Sequence, residues 1–176
     1  MAILCEQGLL LRPFEASDAP AFVEAVLESL ASLQPWMPWS HAGYSDADAL
    51  EWFRFTHAGR GAGTNHKFGV FSEDKGRFLG GAGLSQFHPS HRNCNLGYWV
   101  RQSTQRQGVA SRCVQVLADY AFSTLHIHRV EISAAVGNAA SAAAARKAGA
   151  VWECLARNKL WLHDRAVDAD VFSLVG

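Results

Sequence analysis

The segment from Leu96 to Leu125 constrains the fold more than any other, because it changes from strand to helix across a short polar turn. Leu96–Val100 is rich in aromatic and β-branched residues, which favour a strand. After Gly108, apolar residues recur at spacings of three and four, which predicts a helix with one buried face. Gly108 would also let an anion approach backbone N–H groups that lack helical partners. The sequence therefore favours a phosphate or pyrophosphate site at Gln107–Ser111, with an ordinary strand-to-helix turn as the alternative.

Length and composition favour one domain spanning residues 1–176. Sixteen Lys and Arg balance sixteen Asp and Glu, so charge gives no argument for nucleic acid or a membrane as a partner. The four cysteines show no C-x-x-C spacing and are expected to be reduced. No signal sequence or long apolar run is recognisable, so we expect a soluble cytoplasmic protein, a monomer or homodimer.

The first half of the chain predicts a strand at Gly8–Phe14 and then a helix that begins near Ser17-Asp18 and buries Leu27 with its neighbours. Two prolines exclude a helix from Leu33–Trp39. A second helix should begin at Ser45, with Asp48 completing a capping box.

Glycine-rich Gly59–Gly63 is interpreted as a flexible connection, since it follows a helix and precedes a strand. Lys67–Phe71 and Phe78–Phe87 predict antiparallel strands around a turn at Glu73–Gly76. His88 and His91 follow in a loop; two histidines without a third ligand do not predict a metal site.

The second half predicts a strand at Arg129–Val136, parallel to the strand that ends at Val100. Asn138 should cap a helix over Ala139–Ala148. A final hairpin should pair Val151–Leu162 with Ala166–Val175. The expected fold class is mixed α/β, with six or seven strands and helices on both faces of the sheet.

Gln105, Gly108 and Ala110 form the pattern Q-x-x-G-x-A between a strand and a helix. In this order of elements, the chain resembles the GCN5-related N-acetyltransferases (GNAT family). The opening LRPFEASDAPAFVEAV, the loop PWMPW, the strand GYWV and the helix start NAAS are similar to the Rim type, the ribosomal-protein N-terminal acetyltransferases.

The resemblance implies that Gly97–Val100 separates from the Arg129–Val136 strand, and that the pantetheine arm of acetyl-CoA pairs with the exposed backbone near Val100. The pyrophosphate would bind the N–H groups of Gln107–Ser111. The implied cofactor-binding residues are Trp99, Val100, Gln105, Arg106, Gln107, Gly108, Val109, Ala110, Ser111, Asn138, Ser141 and Lys147.

Acetyl transfer requires a neutral amine and a leaving thiolate that is protonated or stabilised. Many relatives use a tyrosine as the proton donor, whereas this chain places Ser141 at the corresponding helix. Ser141 is therefore a candidate hydrogen-bond donor or water-mediated relay. The alternative is an ordinary residue of the first helical turn.

The general base is not evident from the sequence. Rim-type enzymes carry a glutamate on the strand after the N-x-x-S helix, but a count without gaps puts Leu160 there. The remaining candidates are Glu51, His88, Asp168 and Asp170, acting through water. A base is not essential for an α-amine, because about a tenth of it is neutral at pH 7.

Three functional hypotheses remain open at this point. The first is acetyl-CoA-dependent transfer to a peptide or protein α-amine, and the second is transfer to a small amine such as an antibiotic or an amino conjugate. The third is a non-catalytic CoA-binding module. Trp36 and Trp39 would line an acceptor pocket or pack over the core, and lining is favoured.

Overall fold

A computed structural model describes residues 4–74 and 76–176, and in those residues it shows one eight-stranded mixed sheet. The strands lie in the order β1-β2-β3-β4-β5-β6-β8-β7, and only the β5–β6 pair is parallel. Their bounds are β1 Leu4–Glu6, β2 Leu9–Arg12, β3 Asn65–Ser72, β4 Phe78–His88, β5 Asn93–Val100, β6 Arg129–Ala135, β7 Val151–Leu162 and β8 Arg165–Val175.

The five α-helices of the described residues cover both faces of the sheet. They are α1 Ala19–Glu28, α2 Leu30–Leu33, α3 Asp46–Gly61, α4 Val109–Ser123 and α5 Ala139–Lys147. Neighbouring residues of β3 show the division, because Val70 packs in the cluster that contains α4 while Phe71 packs in the cluster of α1 and α3. The alternating side chains of each strand therefore supply two cores.

Most of the predicted elements are confirmed. Ser45 caps α3 with Asp48 in a capping box, and Asn138 caps α5. β6 runs parallel to β5, and β7 and β8 form the expected hairpin. Strands β3 and β4 are antiparallel, while Lys75 of the turn between them lies outside the described residues.

Four expectations are corrected. The sheet has eight strands instead of six or seven, because Leu4–Glu6 folds back on β2 as a short extra strand. The strand expected at Gly8–Phe14 is only Leu9–Arg12. The expected core residue Leu27 is 41% exposed.

The fourth correction concerns Gly59, which was expected in a flexible connection and lies within α3. A β-carbon at Gly59 would stand 1.8 Å from Nδ2 of Asn65. The missing side chain of Gly59 thus allows α3 to pack closely against the start of β3, and the glycine does not mark a flexible connection.

None of the helices in the described residues combines the length and the apolar character that crossing a bilayer requires.

Candidate functional site

β5 and β6 lie side by side at their first residues and then separate. The parallel pairing ends at Asn95 opposite Glu131, although both strands continue further. On its other side, β5 stays paired with β4 as far as Val100 opposite Gly80. The expected separation of Gly97–Val100 from β6 is therefore confirmed. Among the described strands, none occupies the free edge of this segment, which is open to an extended ligand.

The turn before α4 presents unpaired backbone N–H groups. Arg106 and Gly108 both have left-handed backbone, with φ values of 62° and 76°, and α4 begins directly afterwards at Val109. Gly108 is the N-cap residue, and no described side chain caps the helix there. The first N–H groups of α4 therefore remain available to an anion, with the positive end of the helix dipole behind them.

Lys147 adds a positive charge to the same turn. A β-carbon at Gly108 would stand 3.6 Å from Nζ of Lys147, at the end of α5. The turn Arg106–Ser111 and Lys147 together are called the anion site below. Backbone N–H groups beside an ammonium group, at a position where a side chain would intrude, fit a pyrophosphate.

The amide side chains of Gln105 and Gln107 are used within the fold. Gln105 Nε2 donates to the carbonyl oxygen of Val100 and to Oγ of Ser32, at 3.1 Å each. Gln107 Nε2 donates to the carbonyl oxygen of Ser103 at 3.2 Å. Gln105 thus fixes the turn against the end of β5.

The turn, β5 and α5 enclose a cavity of about 590 Å³, called here the α5 cavity. Gln107 does not line it. Trp36, which was expected to contact the acceptor, lines this cavity instead. The other residues expected to bind the cofactor are all brought together around it: Trp99, Val100, Gln105, Arg106, Gly108, Val109, Ala110, Ser111, Asn138, Ser141 and Lys147.

Tyr98 connects the two sides of the opening between β5 and β6. Its hydroxyl donates to the carbonyl oxygen of Ser141 at 2.8 Å and lies 3.2 Å from Ser141 Oγ. Because the single phenolic proton points at the carbonyl, the Ser141 hydroxyl can donate to the Tyr98 oxygen or into the cavity. Asn138 Oδ1 accepts the Ser141 N–H at 3.1 Å and fixes this turn.

Tyr98 was missed by the sequence reasoning, although strand alternation could have found it. Leu96, Tyr98 and Val100 share one face of β5, towards α4, whereas Gly97 and Trp99 face the opposite way. Burial raises the pKa of Tyr98 and the bond with Ser141 opposes this; the net direction is upward. The phenol therefore keeps its proton at neutral pH.

A second cavity, of about 580 Å³, lies on the opposite face of β5 and is called the α3 cavity. Three glycines form its floor: the side chains of Trp99 and Lys67 lie over Gly81 and Gly83, and the space over Gly97 is open. It shares Met37, Tyr98 and Trp99 with the α5 cavity, so the two cavities meet at β5. Its walls are largely aromatic and include Trp39, Tyr44, Trp52 and Phe55.

The structure brings some of the expected acceptor and catalytic residues to the cavities and leaves others outside them. Trp39 and Glu51 line the α3 cavity, Glu51 from the exposed side of α3. His88 is exposed at the end of β4 and lines neither cavity. The geometry therefore keeps Glu51 as a candidate and does not bring His88 to the opening.

The other candidate carboxylates serve the final hairpin. Asp168 Oδ1 accepts the N–H of Asn158 at 2.8 Å, and Asp170 Oδ1 accepts from Trp152 Nε1 at 2.9 Å. Between Ala156 and Leu160, β7 advances four residues while β8 advances two. A count without gaps through this irregular segment does not identify the residue opposite the site.

The end of β5 is held by a charged cluster. Arg101 is 4% exposed and pairs with Glu24 and Glu28 of α1. Hydrogen bonding to Arg101 lowers the pKa of Glu28 to about 2, against the opposing effect of burial. This cluster anchors the last residues of the strand that forms the opening.

Within residues 4–74 and 76–176, no three His, Cys, Asp or Glu side chains come together as a metal site.

Comparisons with known proteins agree with this geometry. A family model described as an acetyltransferase (GNAT) domain matches residues 8–151. YdaF of Bacillus subtilis, provisionally named a ribosomal N-acetyltransferase, is 26% identical over 174 residues, which are 96% of this chain and 92% of YdaF.

Two solved structures share the fold. A Vibrio cholerae protein, provisionally described as a ribosomal-protein-serine acetyltransferase, has a TM-score of 0.89 at 27% identity, over 99% of this chain and 98% of that one. RimL, described as a ribosomal L7/L12 alpha-N-protein acetyltransferase in complex with coenzyme A, has a TM-score of 0.88 at 23% identity, with the same coverage.

Proposed function

This chain belongs to the GNAT acetyltransferase family and uses acetyl-CoA, and we propose that it transfers the acetyl group to the α-amine of a peptide or protein. The observation that carries the proposal is the meeting of two cavities at Tyr98 and Trp99. One cavity has the anion site for the cofactor, and the other is an aromatic pocket that is open to solvent.

Acetyl-CoA supplies the acetyl group as a thioester, and the residues of this chain hold it and the acceptor. The anion site would bind the pyrophosphate, and the free edge of Gly97–Val100 would bind the pantetheine arm. Asn138, which caps α5, lines the same cavity and would lie beside the bound cofactor. The separation of β5 from β6 would then direct the thioester towards β5, where the cavities meet.

The Tyr98–Ser141 pair would hold a proton where the thiolate leaves. The Ser141 hydroxyl can donate to a developing anion, and the phenol, whose own proton goes to the Ser141 carbonyl oxygen, holds that turn in place at 3.2 Å from Ser141 Oγ. Since the pKa of Tyr98 is raised, the pair acts as a neutral hydrogen-bond donor rather than as a strong acid.

An α-amine suits this site better than a lysine side chain. No carboxylate among the described residues stands at the junction of the two cavities, and Glu51 lies on the outer wall of the α3 cavity. An acceptor with a reference pKa of about 7.7–8.0 requires little help to lose its proton. The description of RimL as a ribosomal L7/L12 alpha-N-protein acetyltransferase supports the same acceptor.

A small primary amine is the second candidate, because the α3 cavity is partly enclosed and lined by aromatic rings. The test is an acceptor panel of short peptides with free N-termini, N-blocked lysine peptides and small amines, each incubated with acetyl-CoA. Mass spectrometry locates the added acetyl group. Acetylation of free N-termini supports the proposal, and acetylation confined to the small amines overturns it.

A further inference from the structure

A half-buried cation lies at the floor of the α3 cavity. Lys67 of β3 lines this cavity, and its side chain crosses the neighbouring strand at Gly83, where a β-carbon would stand 2.6 Å from Lys67 Cδ. Its Nζ donates to Ser85 Oγ at 3.1 Å. The missing side chain of Gly83 thus provides the path along which the ammonium group reaches β4.

Lys67 has no carboxylate partner in the part of the chain that the structure describes. The ion pairs of the described residues involve other groups, and none places a carboxylate oxygen within 4.0 Å of Lys67 Nζ. An ammonium group has three donors, and Ser85 accepts one. Loss of solvation on burial lowers the pKa of Lys67, against a smaller opposing effect from Cys94. An anion bound beside it would supply both the missing acceptor and the missing charge.

The acidic groups of the same cavity stand on α3, away from Lys67 on β3. The Asp48 carboxylate accepts from the N–H and Oγ of Ser45 as part of the helix cap. Glu51 is exposed on the same helix. The cavity therefore has carboxylates on its helical wall and a cation on its sheet floor. A carboxylate of a bound acceptor would therefore be attracted to the sheet floor and repelled by the helical wall.

Strand register gives the scale of that ligand. Ser85 lies opposite Asn95, the last residue of β5 that pairs with β6, and Gly97 follows on the same face. Diagonal neighbours of this kind in adjacent strands stand about 7–8 Å apart. An amine at the opening, beside Gly97, would therefore be separated from the Lys67–Ser85 pair by about the length of one acidic side chain plus one hydrogen bond.

We propose that Lys67 determines acceptor specificity by binding a carboxylate in the same residue as the reacting amine, as in a peptide that begins with Asp or Glu. The inference rests on the proposed function, because the peptide supplies that amine. Lys67 does not take part in the transfer step itself, so its loss should raise KM and leave kcat unchanged.

The test compares peptides that differ only in the first residue, Glu, Gln or Ala, in wild-type enzyme and in Lys67→Met and Lys67→Arg. Wild-type kcat/KM should favour Glu over Gln by about 10- to 100-fold, the usual scale of one hydrogen-bonded charge pair. Lys67→Met should bring this ratio close to one by raising KM for the Glu peptide, with the Gln peptide unchanged. Lys67→Arg should keep most of the preference.

Lys159→Met is the matched control, since Lys159 pairs with Glu131 on β6 and lines neither cavity. It should retain the wild-type ratio. Peptide acetylation with no preference for Glu, or an equal loss for Glu and Gln peptides in Lys67→Met, would refute the role of Lys67. Acetylation of free glutamate but of no peptide, with the same dependence on Lys67, would refute the peptide acceptor and leave the carboxylate site standing.

Discussion

The hydroxyl of Tyr98 donates to the carbonyl oxygen of Ser141 at 2.8 Å, across the opening between β5 and β6. This bond joins β5, at the point where it has separated from β6, to the first turn of α5. It places a phenol 3.2 Å from the Ser141 hydroxyl, where the α5 and α3 cavities meet.

Removing either hydroxyl should lower turnover. Ser141→Ala should reduce kcat by about 10- to 100-fold with little change in acetyl-CoA affinity, because serine is a weak acid and stabilises only the leaving group. Tyr98→Phe should reduce kcat in the same range. Since the two groups act as one unit, the double variant should lose less than the product of the two single effects.

The control for Tyr98→Phe is Tyr120→Phe, because the Tyr120 hydroxyl bonds His66 at 3.0 Å and lines neither cavity. Steady-state kinetics and acetyl-CoA titration separate kcat from binding. Unchanged turnover in Ser141→Ala would show that Ser141 has only a structural role in α5.

Gly108→Asp should weaken acetyl-CoA binding by at least tenfold. The new carboxylate would project beside Lys147 and repel the pyrophosphate from the first N–H groups of α4. Binding can be followed by the rise in Tm with acetyl-CoA concentration, since a ligand stabilises the state to which it binds.

Gly63→Asp controls for the left-handed backbone, because Gly63 also has a positive φ, of 69°, and a β-carbon there would meet nothing within 4 Å. Dephospho-CoA should retain much of the stabilisation by acetyl-CoA. A folded Gly108→Asp variant that binds like the wild type would place the pyrophosphate elsewhere.

Glu28 should contribute to acid stability. Its folded pKa of about 2 lies below the ordinary value of 4.5, so its stabilising effect is complete above pH 4.5 and is lost as the pH falls towards 2. Glu28→Gln should lower the free energy of unfolding by about 1–2 kcal/mol at pH 7 and flatten its dependence on pH in that window.

Glu24→Gln should have a smaller effect, because the Glu24 side chain is 71% exposed whereas that of Glu28 is 28% exposed. Urea unfolding at several pH values makes the comparison. If the free energy of unfolding of Glu28→Gln depended on pH between 4.5 and 2 as steeply as that of the wild type, the Arg101–Glu28 pair would not be a source of acid stability.

The elements of the fold were predictable where local chemistry determines them. The caps at Ser45 and Asn138 and the turn at Gly108 depend on residues a few positions apart, and the structure has all three. The place of Gly59 within α3 depends on its close contact with Asn65, which has no signal in the local pattern. The extra strand Leu4–Glu6 did have a local signal, because the two-residue turn Gln7-Gly8, with positive φ at both residues, is typical of a β-hairpin.

The candidate site shows the same division. The anion site follows from the pattern around Gly108, and the structure gathers its expected neighbours into one cavity. The sequence did not predict roles for Tyr98 and Lys67, because these roles depend on hydrogen bonds to residues elsewhere in the chain, Ser141 and Ser85. Leu160 illustrates the opposite error, because the irregular pairing of β7 with β8 breaks a correspondence that depends on counting.

The most direct test of the proposed α-amine acceptor is kcat/KM from pH 5.5 to 9.5 on two peptides. One has a free N-terminus and no lysine, and the other is blocked at its N-terminus and contains one lysine. The free N-terminus should react a few hundred-fold faster at pH 7, from its neutral fraction alone, with a rate that rises with pH and levels off near the pKa of the amine. Equal rates on the blocked lysine peptide would contradict the proposal.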